Sequence, residues 1–429
     1  MALVADTSSK GLWIAPGTVA GTHALIVGVS SYPFLSGGSA PVRAPNSGGL
    51  PQLRNSALTA ARIFDWLKGA ESVAGATVAS CRLLLSPVEA EKAEIDRLTG
   101  GNYGVPDFEI FRAAIEAWRN AIFAARNEHG TNTAFFFFSG HGVEHLASPA
   151  LLAADILDPN AAGSETRAVA IEAVGRAIKT SGIDRALLFV DACRNAPAVA
   201  MTLHIVGQEI INPVPYPARS PDAVMSLQST RSGLQSFQAP DDPATIFGRA
   251  VIEALDGPPP SYAPYDVASA PWALRFASFE SYVKKRVPEL LAAYTASKTQ
   301  PVEASGMPYD REMVVASRSP LAPPPVSTLT PPDIATVIAQ RSDDLLQHFK
   351  TFSTGLGGDR PTAPGIGDIS DYSTMHEVFG HESVTVPFLD ALSVLDARTG
   401  QPFPTSDLHL MLGRSSERAD TLTTWLDVE

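Results

Sequence analysis

Thr133-Ala-Phe-Phe-Phe-Phe-Ser-Gly-His-Gly-Val143 and Arg185-Ala-Leu-Leu-Phe-Val-Asp-Ala-Cys-Arg-Asn195 are the two stretches on which the fold of this 429-residue chain turns. Each is an apolar run of strand length that stops abruptly and then offers one reactive side chain, His141 in the first and Cys193 in the second. Continuous apolar character marks a strand covered on both faces, as in parallel sheets. Such folds place their sites at the carboxyl ends of the strands, where His141 and Cys193 fall.

The flanking sequence alternates in the same sense. His23 to Ser30 is a short apolar run that reads as a first buried strand, followed by a loop from Ser36 to Gly49 rich in Gly and Pro. Asn55 to Lys68 has helical spacing, with Asn55 or Ser56 as N-cap. Thr77 to Leu85 is a second strand, and Pro106 opens a helix carrying Phe108, Phe111, Ile115, Trp118 and Ile122 on one face. Leu151 to Asp155 is extended, and Arg167 to Thr180 reads as a helix stopped by Gly182. After the Cys193 strand come a strand at Ala223 to Thr230, helices at Thr245 to Leu255 and Ser278 to Tyr294, and a strand at Glu312 to Ala316. Buried strands alternating with amphipathic helices define a three-layer α/β fold with a mostly parallel sheet.

The expected organisation is an N-terminal segment 1–21 and a main domain 22–318, divided into 22–195, a linker 196–221 and 222–318. Residues 319–332 hold six prolines in fourteen positions and form a spacer before a C-terminal domain 333–429. A net charge of -13 argues against nucleic acid or an anionic membrane as partner. Two cysteines exclude a disulfide framework and suit a reducing compartment. No targeting segment or bilayer-spanning run is visible, so the expectation is a soluble cytoplasmic protein.

A thiol attacks an acyl carbon as thiolate, and an ordinary cysteine with pKa of about 8.5 needs a basic or cationic neighbour. His141 would supply it, as an ion-pair partner or as the group that protonates a leaving amine. Taken singly, a cysteine after a strand is a core residue and a histidine there is a cap. Two such residues, each closing a buried strand with a helix between, point to a shared site. Gly140 and Gly142 let the backbone approach a substrate, and the amides of Gly142 and Cys193 can face a developing oxyanion.

Phe-Phe-Ser-Gly-His-Gly together with Val-Asp-Ala-Cys-Arg-Asn resembles the caspase, metacaspase and paracaspase group of cysteine peptidases. The resemblance runs from about Thr22 to Arg318 and includes Leu227 to Gln238, which is similar to the caspase small-subunit strand. It implies a six-stranded, mostly parallel sheet, a Cys193 and His141 dyad, and the Gly142 and Cys193 amides as oxyanion hole. It also implies a peptide substrate added as a strand beside Ser229, Ser236 and Phe237. Where caspases commonly carry a substrate-gripping arginine, this chain has Gln238. Asp191, two residues before Cys193, matches the acid that binds a basic P1 residue in the metacaspase-like branch. A second acid common in that branch is missing, because the matching stretch is Leu58-Thr59-Ala60. Arg54 could instead serve an acidic P1, and Asp191 could instead fix the adjoining loop.

These expectations describe a cysteine endopeptidase acting on a protein or peptide after Arg or Lys. Regulation would come from processing at Arg219 or from a protein or ligand acting through the C-terminal domain. The alternatives are a silent scaffold that binds extended peptides and a peptidase with P1 Asp specificity. No cofactor is required; calcium activates some metacaspases, and Asp155 and Asp158 are the basis for considering it here. No metal site is expected at His376-Glu-Val-Phe-Gly-His381, where the histidines are five apart and Gly380 interrupts a helix. Cys81 is read as a small buried apolar residue.

Overall fold

The structure is a computed structural model, and it describes residues 3–319 apart from 48, 127–130, 146–147, 180, 195–204, 209–220, 239–242, 257–264, 267–268, 270, 296–297 and 307. The chain divides into two compact units, Met1–Leu321 and Ala322–Glu429, and the described residues all belong to the first. Arg219, most of the linker 196–221, His376 and His381, the C-terminal domain, and all but Ser319 of the proline-rich spacer lie outside the described residues.

In chain order the first elements are β1 (Val4–Ala5), β2 (Leu12–Ile14), β3 (Thr22–Val29), α1 (Ser56–Gly69), β4 (Ser72–Val73), β5 (Val78–Ser86), α2 (Glu89–Thr99) and α3 (Phe108–Ala125). Next come β6 (Thr133–Ser139), β7 (Gly142–His145), β8 (Ser148–Leu152), β9 (Ala168–Ala170), α4 (Ile171–Lys179), β10 (Arg185–Asp191) and β11 (Ala223–Gln228). The last are α5 (Ile246–Asp256), β12 (Trp272–Arg275), α6 (Phe276–Ala292), β13 (Glu303–Gly306) and β14 (Val314–Arg318).

The expected α/β class is what the chain adopts. The central sheet has the order β1-β2-β5-β3-β6-β10-β11-β13. Its middle five strands, β5, β3, β6, β10 and β11, are parallel, and β13 closes one edge antiparallel. The five parallel strands are those expected; the edge taken by β13 is not, and the strand expected at Glu312 to Ala316 instead forms β14, paired antiparallel with β12 and β4 in a separate three-stranded sheet. The central sheet has eight strands rather than six because the hairpin of β1 and β2 pairs antiparallel onto β5. Residues 3–14, ahead of the expected domain start, are thus part of the sheet. Strands of two and three residues are too short to show a period.

The run of four phenylalanines shows why apolar continuity means two covered faces. Phe135 and Phe137 join the core beneath α1, α5 and α6, whereas Phe136 and Phe138 join the one beneath α3 and α4. All four are fully buried, each contributing about 1.5–3 kcal/mol relative to exposure. Phe135 meets Phe189 edge-on at 5.5 Å, and Phe138 stacks on Phe111 at 6.1 Å.

Two further local expectations are corrected, and one helix is new. Residues 168–170, expected to begin a helix, form β9 paired with β8, and the helix starts only at Ile171. Asn55 precedes α1 but adopts φ +66 and makes no side-chain cap. The helix start is held from elsewhere: Ala57 N–H donates to Ser30 Oγ at 2.8 Å, and Asn55 N–H donates to buried Glu91. Helix α2, which carries Glu91, was not anticipated, because only Ile95 and Leu98 give it an apolar face.

After β3 the chain crosses to β5 on one side and later returns to β6 on the other. The crevice at that switch lies at the carboxyl ends of β3 and β6, where ligand sites form in such sheets. Residues 30–55 and 140–142 enter it.

Candidate active site

Strands β6 and β10 pair in register from Thr133 opposite Arg185 to Ser139 opposite Asp191. Gly140 N–H then donates to the Asp191 carbonyl at 3.1 Å. His141 and Cys193 each follow two residues beyond the last register pair. The approach is close enough to require glycine at 142: an added Cβ would sit 2.5 Å from the Cys193 carbonyl oxygen and 2.8 Å from Ala192 Cβ. Leu152 N–H donates to the His141 carbonyl, leaving Gly142 opposite Leu151 in a pair that exchanges no bonds.

His141 is held at both ends. Its main-chain N–H donates to the Tyr32 hydroxyl at 2.7 Å, and its Nε2 lies 2.7 Å from the Pro51 carbonyl. A carbonyl only accepts, so Nε2 carries the proton and Nδ1 keeps its lone pair. Gln52, next to Pro51, accepts from Tyr32 N–H at 2.8 Å and donates to the Tyr32 carbonyl at 2.9 Å. Both restraints on the histidine therefore return to the dipeptide Pro51-Gln52. Burial lowers the His141 pKa to about 4, opposed by the Pro51 carbonyl, so the ring is neutral at physiological pH.

Cys193 is half-buried. Its sulfur accepts from Ser236 N–H at 3.3 Å and lies 3.6 Å from the Ser236 carbonyl, within reach of the thiol proton. Burial raises the thiol pKa, as does the charge of Asp191, and the Ser236 amide acts the other way. The shifts at Cys193 and His141 both favour a neutral thiol and a neutral imidazole over a preformed ion pair.

Asp191 is 3% exposed. Ser236 Oγ donates to its Oδ1 at 2.9 Å, and Ser139 Oγ and Thr245 Oγ1 donate to Oδ2, the former at 3.2 Å. Burial raises its pKa, and the hydroxyls of Thr245, Ser236, Ser139 and Ser229 oppose the rise. Among the described residues no cation pairs with this carboxylate. Ser229 also fixes Ala192, accepting from its N–H and donating to its carbonyl, both at 3.2 Å.

On the other side of the cysteine, Arg194 Nε donates to buried Glu144 at 2.9 Å, and Nη1 donates to Glu303. Ser232 Oγ donates to the second Glu144 oxygen. The main chain of Arg194 bonds to Leu234 and Gly233. The residue after the nucleophile is thereby fixed from β7, β13 and residues 232–234.

Every sequence-derived site residue within the described residues gathers here: His141, Gly142, Asp191, Cys193, Ser229, Ser236 and Phe237. Gln238 bridges to helix α1, accepting from Arg54 N–H at 3.0 Å and donating to Ser56 Oγ at 3.0 Å. Sequence reading missed Tyr32, Pro51, Gln52, Thr245 and Gln300. Gln300 accepts from Phe237 N–H at 2.9 Å and donates to Ser236 Oγ at 3.2 Å. All five stand in loops or at an element's start, where the residue types carry no pattern that marks chemistry.

Asp155 is engaged by Phe108 N–H at 2.7 Å and by Arg167, while Asp158 accepts from Asn160 N–H at 2.9 Å. Among the described residues no group of three or more His, Cys, Asp or Glu is placed to hold a metal ion, and no helix is long and apolar enough to cross a membrane. Cys81 is fully buried on β5, and burial raises its thiol pKa.

No protein-family model matches the sequence, and no curated protein matches it. Among solved structures, the crystal structure of caspase-1 from Spodoptera frugiperda is similar at 12% identity over 70% of this chain and 89% of that chain, with a TM-score of 0.36. What the site does is read from its own geometry.

Proposed function

We propose that this chain is a cysteine endopeptidase of the caspase and metacaspase type that cuts peptide bonds after Arg or Lys. The observation that carries the proposal is Cys193 and His141 following in-register neighbouring strands, above a buried carboxylate with no cationic partner among the described residues. In the proposed reaction the thiol proton passes to His141 Nδ1, the nitrogen left free by the Pro51 carbonyl. The sulfur bonds to the substrate carbonyl carbon, and the oxyanion is held by the amides of Gly142 and Cys193. The imidazolium returns its proton to the leaving amine as the C–N bond breaks, giving a thioester. Water, deprotonated by the same imidazole, hydrolyses the thioester and restores the thiol.

A buried carboxylate solvated only by hydroxyls is costly, and a guanidinium or ammonium entering beside it offsets that cost. This supports a basic P1 residue at Asp191. The Ser236 main chain, which meets the sulfur at rest, must release it when a substrate strand pairs there. An acyloxymethyl ketone with P1 Arg should label the wild type at Cys193 and leave Cys193→Ala unlabelled. No labelling of the wild type would leave a peptide-binding scaffold as the reading, and faster cleavage of P1 Asp than P1 Arg peptides would overturn the specificity.

A further inference from the structure

Phe237 follows Ser236 along the strand that meets the nucleophile. Its N–H donates to Gln300 Oε1 at 2.9 Å and its carbonyl accepts from Ile246 N–H at 3.4 Å, so its own main-chain groups point away from Cys193. Alternation along an extended chain turns those of Ser236 and Gln238 the other way, toward the groove. Gln300 is buried and also holds Ser236 Oγ, so one side chain fastens residues 298–300 alongside residues 236–237. That fastening sets the Lys298 ammonium over the Phe237 ring, 4.6 Å from its centroid. Lys298 is exposed, and among the described residues no carboxylate pairs with it. Arg54, also exposed, is tied to Gln238 through its main-chain N–H.

We propose that Lys298 makes this site select an acidic side chain, Asp or Glu, at P2, the residue immediately before the one whose carbonyl is attacked. The inference rests on the reading of Cys193 as nucleophile and of Ser236 to Gln238 as the strand a substrate joins. A peptide added antiparallel to that strand sets P1 opposite Ser236 and P2 opposite Phe237. Residues directly opposite on neighbouring strands share a face, with Cβ atoms about 4.5–5.5 Å apart. The P2 side chain therefore lies against the Phe237 ring and meets the ammonium above it. A carboxylate there forms a partly desolvated ion pair, and a P2 Lys meets a like charge. The selected class is a peptide with an acidic residue followed by a basic one.

The test compares fluorogenic peptides ending Glu-Arg and Lys-Arg before the scissile bond, with wild type and Lys298→Glu. Wild type should favour the Glu peptide by about three- to tenfold in kcat/KM, less so at high salt, and Lys298→Glu should reverse the order. Equal rates in wild type, or an unchanged order in Lys298→Glu, would overturn the inference. The same peptides, fluorescein-labelled, are bound to Cys193→Ala and to Cys193→Ala with Lys298→Glu, and followed by anisotropy. If wild type cleaves neither peptide yet binding shows the preference and its reversal, the reaction reading fails and the role of Lys298 stands. Equal binding of both peptides, or binding of neither, overturns the role of Lys298.

Discussion

Two buried carboxylates flank the candidate nucleophile, and their surroundings differ in kind. Glu144, 7% exposed, is matched by the Arg194 guanidinium and one hydroxyl. Asp191, 3% exposed, is met by hydroxyls alone. The difference teaches that burial of a charge does not say what the charge is for. A carboxylate closed by a guanidinium has its partner already and fixes the main chain beyond Cys193. A carboxylate solvated by neutral hydroxyls keeps its charge to offer, since a hydroxyl can turn aside when a cation arrives.

Three experiments break or sharpen this contrast. Glu144→Ala leaves the Arg194 guanidinium, largely enclosed, with only the more exposed Glu303 among the described residues. Denaturant unfolding should show a loss of about 3–5 kcal/mol, with the P1 preference of the folded fraction unchanged. A change of P1 preference would mean that the two carboxylates act together. Asp191→Asn should lower kcat/KM for P1 Arg peptides by about a hundredfold, with stability retained within about 1 kcal/mol and Cys193 still alkylated by iodoacetamide. Because burial raises the Asp191 pKa, KM for P1 Arg should rise on acidification sooner than an ordinary carboxylate would cause, and this pH dependence should vanish in Asp191→Asn.

The smallest effect is on stability against pH. His23 and His141 are both lowered to about 4 by burial, so the unfolded chain takes up these protons first as pH falls below 6.5. Stability is therefore complete above 6.5 and declines toward 4, by about 1.4 kcal/mol per pH unit for each ring. Asp191, raised instead, binds its proton more readily when folded and opposes the decline at its lower end. His23→Gln, which removes a buried ring whose pKa is lowered as far as that of His141, should roughly halve the slope. An unaltered slope would mean that His23 is not neutral in the fold.

Sequence showed most where burial writes a local pattern. Strands β6 and β10 were legible because cover on both faces leaves no polar position, and the residues ending them were legible in consequence. Helix α2 was not, since a helix lying on α1 rather than on the sheet needs only Ile95 and Leu98. Residues 168–170 carry helical spacing continuous with α4, and pairing with β8 overrode it. The restraint on His141 was invisible because it is assembled from loop residues with no periodic pattern: the Tyr32 hydroxyl, the Pro51 carbonyl, and the Gln52 amide that clasps the Tyr32 main chain. Gln300 likewise looks like any polar loop residue until Phe237 is laid against it.

The register between β6 and β10 also limits how this chain can gain or lose residues. Removing one residue within Thr133–Ser139 would draw His141 back by about 3.3 Å and exchange the faces of the phenylalanines. A matching deletion in Arg185–Asp191 would realign the two reactive side chains but break step with β3 and β11. Residues 36–49 stand outside this constraint, because Gln52 clasps Tyr32 directly and closes the base of that loop. Insertions there should leave the histidine in place, so the loop after β3 is where this chain is free to change its length.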